Sequence, residues 1–167
     1  MTDRQAPPLW PDTDDDSSTA EIIGRYLAGP ALLRETVAGM DAAQLHAKPI
    51  PGKMSTQQVV NHIVDSELRM VDWMRRAIAG DEPLVLQGRP QPQPQPERDV
   101  EADLRQLQTT REQMAEELRP LEPDVWARVA MKREERVVTL RQLLLHTAHH
   151  LENHAATIEE KRAALGL

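Results

Sequence analysis

The sequence predicts an all-α protein, a four-helix bundle with a long crossover between its second and third helices. Three observations lead to it. Apolar residues recur at three- and four-residue spacing in four separate stretches. Ser55 and Thr139 stand where helix N-caps belong, ahead of two of those stretches. A proline-rich segment separates the second stretch from the third, long enough to carry the chain back along the length of a helix. At 167 residues, 40% hydrophobic and 28% charged, the chain has the size and mix of one globular domain. It divides into a polar arm rich in Pro and Asp over residues 1–18 and a single bundle domain over 19–167, with Leu9 and Trp10 as the expected anchors of the arm.

In the first helix, from Thr19, the residues Ile22, Ile23, Tyr26, Leu27, Leu33 and Val37 share a face. Gly29-Pro30 is expected to kink it, because proline removes a backbone donor and crowds the preceding turn. The turn PIPGKM follows, and a second helix runs from its cap at Ser55 to about Ala79 with Val59, Ile63, Met70, Trp73 and Ala77 inward. The segment PQPQPQP then favours an extended polyproline conformation of about 3.1 Å per residue, which lets helices two and three run parallel. Its other reading, as a ligand for a proline-recognition domain, is only loosely matched in register. The third helix spans about Asp99 to Leu118, with a narrow inward stripe of Val100, Leu104, Leu107, Arg111, Met114 and Leu118. RPLEPDVWARVAMKREERVV reads as a connection holding one helical turn at most, and Thr139 caps a fourth helix from Leu140 to about Leu165.

Composition then narrows the function. The chain has six histidines and no cysteine, which excludes disulfides, thiolate metal sites and a cysteine nucleophile, so any metal must be held by nitrogen and oxygen. Three Trp, one Tyr and no Phe leave little from which to build base-stacking platforms. Twenty basic against 27 acidic side chains give a net charge of −7, the wrong sign for phosphate neutralisation, so no nucleic-acid partner is expected. No stretch approaches the ~18 apolar residues of a membrane span, and the N-terminus lacks the pattern of a secretory leader; a cytoplasmic protein with no membrane partner is expected.

Four histidines fall in HTAHHLENH, at 146, 149, 150 and 154. At about 100° per residue, Leu144, Thr147, Leu151 and Ile158 lie within roughly 40° of one direction, the core. His154 stands about 40° from it, His150 about 80° and His146 about 120°, while His149 points away. His150 and His154 are therefore shoulder residues one turn apart, the spacing that lets two imidazoles bind one ion, though two surface histidines would look the same. On the second helix, His62 stands about 80° from the core direction, and Asp65 is one turn farther on. If the two shoulders face each other, three imidazoles converge at the mouth of the bundle and leave metal positions open. His146 is a possible fourth ligand but is better placed at the rim, and His46, in AQLHAKP, reads as surface.

KPIPGKMSTQQVVNHIVDSELRM, DLRQLQTTREQM and TLRQLLLHTAHHLENHAATI together resemble the DinB-like, YfiT-like family of four-helix-bundle metalloenzymes, from about Ile22 onward. The resemblance implies that His62, His150 and His154 bind a divalent metal, and it also implies the long crossover and a homodimer. It departs from the family at Thr157, where a Gln-Ile or similar pair is usual, and at Met54, where Trp is common. Family members of known activity use a low-molecular-weight thiol as cosubstrate in transferase or isomerase reactions. The expectation is thus a metal-dependent enzyme acting on a small molecule, first as a thiol S-transferase, with a metal-dependent hydrolase or a non-catalytic metal-binding bundle as alternatives. Zn²⁺ or Ni²⁺ suits three imidazoles best, with Fe²⁺ or Mn²⁺ also admissible. Asp65 is expected either to orient a ligand histidine or to take a proton.

Overall fold

A computed structural model of the protein describes residues 15–87, 98–133 and 136–167. Leu9, Trp10 and the PQPQPQP segment lie outside them. Four long helices make the bundle: α1 (Thr19–Val37), α3 (Thr56–Ala79), α4 (Val100–Leu118) and α6 (Leu140–Leu165), with short helices α2 (Ala42–His46) and α5 (Pro123–Trp126) in the connections. The capping signals explain the starts. Ser18, Asp41, Ser55 and Thr139 each accept from the backbone of the third helical residue while its Glu or Gln reaches back, and Asp99 accepts from Ala102 N. Gly80 and Gly166 end α3 and α6 in the left-handed region, at φ 79° and 76°.

Side-chain partners fix the directions. Along α3 and α4, Gln57 meets Arg98, Asn61 meets Asp103, Glu67 meets Arg111 and Arg75 meets Glu117, so the numbers rise together and the helices run parallel, as the long crossover allows. Arg25 pairs with Glu152, and Arg162 donates to Thr36 O and Ala38 O, so α1 and α6 are also parallel. Met70 meets Thr147 while His62 meets His154, which sets α3 antiparallel to α6. Around the bundle the order is α1, α6, α3, α4, and each helix packs on its two neighbours.

One expectation gives way in the connection before α6. Instead of a loop with one helical turn, α5 is followed by β2 (Val129–Arg133) and β3 (Arg136–Thr139), paired antiparallel. The crossover contributes β1 (Leu84–Leu86), parallel to β2 with Leu84 opposite Met131, giving a small sheet in the order β1-β2-β3. Ala130, Met131 and Val138 turn inward and join Met74, Ala77 and Leu140, so the sheet closes one end of the core. Ala130 and Met131 are consecutive and both buried, at a register shift between Val129 and Met131, and burial of this apolar set outweighs the charged run between the strands. The second core region, toward the other end, holds Leu33, Val59, Ile63, Leu104, Leu107, Leu151 and Ile158.

α1 runs on through Pro30, the site of the expected kink, as one helix. Pro30 cannot donate to Tyr26 O, but Arg111 Nη1 does so at 2.7 Å. Arg111 is 1% exposed, and its guanidinium also donates to Glu67 Oε2 at 2.7 and 3.1 Å and to Thr147 O at 3.4 Å. One side chain on α4 thus binds all three other bundle helices. Tyr26 donates to the other Glu67 oxygen at 2.6 Å and places its ring 4.4 Å from the guanidinium carbon. The described end of the arm is held as well, since Arg141 donates to Asp15 O and Ser17 O. No described helix is long and apolar enough to cross a membrane.

Candidate metal centre

The antiparallel packing of α3 on α6 brings His62 against His150 and His154. Ring centroids are 5.3 Å apart for His62–His150, 4.9 Å for His62–His154 and 4.5 Å for His150–His154. One nitrogen from each ring lies within 4.8 Å of the other two, and all three residues are half-buried. The register follows from the flanking core: Val59 and Ile63 bracket His62, while Thr147, Leu151 and Ile158 hold α6 so that its shoulder faces α3.

The environment keeps these rings neutral. Burial pushes the His150 imidazolium down to about 2, reinforced by His154, His62, His146 and Arg111. Burial, then His62 and Lys161, brings His154 to about 4. His62 is lowered chiefly by burial, then by Arg69, against an opposing pull from Asp65. Neutral imidazoles offer lone pairs near pH 7. Three such nitrogens, close enough for small side-chain rotations to bring them onto one ion at about 2.0–2.1 Å, fit a divalent metal of borderline softness. Three protein donors are the number typical of a catalytic site; a structural site is closed by four.

His146 stands outside this group. Its ring is 6.0 Å from that of His150, it is half-buried, and burial followed by His149 lowers it to about 4. His46 is exposed on α2, as expected. Asp65 departs from the role of orienting a histidine. Its carboxylate meets Arg98 Nη2 at 2.9 Å, and among the described residues it bonds no imidazole. Arg98 also donates to Asp103 and to Asn61 O, so Asp65 belongs to a clamp that fastens the start of α4 to α3.

Glu67 and Arg111 were missed as a pair, although both stand at inward positions, Glu67 four residues after Ile63 and Arg111 within the apolar stripe of α4. A charged residue on the inward face of each of two helices is the signal that would have found them. They lie beneath the histidines, with Arg111 near enough to His150 to repel its charged form.

The family model of the DinB superfamily matches residues 25–158, a span that contains all three histidines. The fold is similar to that of YfiT from Bacillus subtilis, described as a probable metal-dependent hydrolase with an unusual four-helix bundle topology. The two share 22% identity with a TM-score of 0.77, over 97% of this chain and 94% of that one. No curated protein matches the sequence.

Proposed function

Since the chain belongs to the DinB superfamily, we propose that it is a divalent-metal-dependent enzyme acting on a small molecule, and that His62, His150 and His154 are its metal ligands. The observation that carries this reading is the convergence of three neutral imidazoles from two antiparallel helices. A divalent ion held by neutral ligands alone keeps its full charge and lowers the pKa of a thiol or water bound to it, supplying a nucleophile near neutral pH. The chain's own residues prepare for that. His150 and His154 stay unprotonated, Leu151 and Ile158 close the inner side of the site, and the Glu67–Arg111 pair fixes the spacing of α3, α4 and α6 beneath it.

The favoured reaction is transfer to a low-molecular-weight thiol. With no cysteine in the sequence, the sulfur must arrive as a cosubstrate. The second reading is hydrolysis, favoured by the fold shared with YfiT, because the same donors serve water equally well. Metal analysis of untagged protein tests the site: one ion per chain in the wild type, lost in His62→Ala and His150→Ala. Unchanged metal content in either variant sinks it. Conjugation of monochlorobimane with a panel of low-molecular-weight thiols, with and without metal, then tests the reaction. Metal-dependent turnover supports the transferase; turnover of an ester panel but no thiol gives the hydrolase.

A further inference from the structure

Lys161, seven residues beyond His154 on α6, is 3% exposed. Its ammonium donates to Thr157 O at 3.0 Å and forms no ion pair among the described residues. Glu160, its sequence neighbour, is exposed and acts on it only at a distance. Two of the three N–H donors therefore have no acceptor among the described residues. A buried ammonium in that state is costly unless a counter-charge arrives from outside the chain.

Its position says where the counter-charge would sit. Setting His150 at zero, His154 stands at about 40° and Lys161 at about 20°, so the three share one face of α6. Helical side chains lean toward the N-terminus, and the bond to Thr157 O draws the ammonium back along α6 toward the turn that carries His154. Thr157 links the two, since its hydroxyl donates to His154 O at 2.8 Å. Lys53, exposed in the turn before α3, is close enough to repel Lys161, and Arg69, also exposed, acts in the same way on His62. On a chain of net charge −7, the histidines are thus flanked by cations, while Asp65, the carboxylate acting on His62, is committed to Arg98.

We infer that Lys161, with Lys53 at the rim, forms a carboxylate-binding subsite beside the three histidines. The substrate or cosubstrate then carries a carboxylate a few bonds from its reacting atom. The inference rests on the metal-site reading above and adds the class of ligand.

Cobalt(II)-loaded full-length protein tests it, with two hydroxamates titrated by visible absorption: succinate monohydroxamate, which carries a pendant carboxylate, and the uncharged butyrohydroxamate. The charged ligand binds about tenfold more tightly or better to the wild type, the gain expected of a charge-assisted hydrogen bond. Lys161→Met brings the ratio to about one with the butyrohydroxamate affinity unchanged, Lys161→Arg retains the preference, and Lys53→Ala reduces it about two- to threefold. Equal affinities in the wild type overturn the subsite without any variant, as does a preference that survives Lys161→Met. If cobalt does not bind, or binds equally well to His62→Ala and His150→Ala, the metal reading itself fails and takes the subsite with it.

Discussion

Arg111 Nη1 donates to Tyr26 O at 2.7 Å, replacing the hydrogen bond that Pro30 cannot make. Gly29 makes room for it. A Cβ at Gly29 would overlap Arg111 Nη1 and stand 3.0 Å from Leu151 Cδ1. Gly29→Ala is therefore destabilising although alanine is the better helix former: a gain of up to about 1 kcal/mol in propensity is outweighed by about 2–3 kcal/mol of overpacking and a broken hydrogen bond. Urea denaturation of the two proteins checks it, and a midpoint raised by the substitution refutes the fit.

The Glu67–Arg111 pair gives a second expectation. Glu67→Leu leaves a guanidinium buried without its carboxylate and costs about 3–5 kcal/mol; Arg111→Met costs a similar amount and also strands Tyr26 O. The double variant Glu67→Leu/Arg111→Met loses clearly less than the two singles together, because neither partner is left charged and alone. Additive losses in a double-mutant cycle would show that the pair does not act as a unit.

Metal should stabilise the folded chain through the histidines only. With free zinc at about 100 times its dissociation constant, binding adds about 2.7 kcal/mol, seen as a rise in Tm. The rise disappears in His150→Ala and persists in His46→Ala, whose ring lies on exposed α2. A rise of equal size in both variants places the zinc elsewhere.

Acid should destabilise the metal-free protein. His150 and His154 are lowered in the folded state, to about 2 and about 4, from an ordinary 6.5, and His146 is lowered to about 4. Below 6.5 the unfolded chain binds protons that the folded chain refuses. The stability is therefore complete above 6.5, falls as pH drops below it, and keeps falling until the folded-state values are reached. Thermal melts of chelator-treated protein at pH 7.5 and pH 5.0 measure the loss, which is smaller in His154→Gln. A Tm that rises on going to pH 5.0 contradicts the direction.

The long helices were legible because their signals are local. Ser55 and Thr139 begin α3 and α6 where the capping pattern puts them, and helical angles set His62, His150 and His154 on the shoulders of their helices, which the antiparallel packing of α3 on α6 turns toward each other. What escaped was non-local. Val129–Arg133 and Arg136–Thr139 are too short for periodicity to mark them, although the β-branched pair Val137-Val138 favours a strand, and the pairing of Leu84 with Met131 has no local trace. Continuity of α1 through Pro30 depends on a donor from α4, which no reading of α1 by itself contains. The helical angle of Lys161 is that of the histidine face, but its burial without a carboxylate partner among the described residues is a property of the packed bundle.

The sheet has a consequence for the order in which the chain assembles. β1 follows α3 directly, yet its partner β2 is made only after α4, and His62 waits longer still for its companions on α6, the last of the described helices. A nascent chain emerging from the ribosome thus holds one histidine of the three until α6 is released. On the three-histidine reading proposed above, the site forms only when α6 packs against α3, and an intermediate that lacks α6 holds a single one of its ligands.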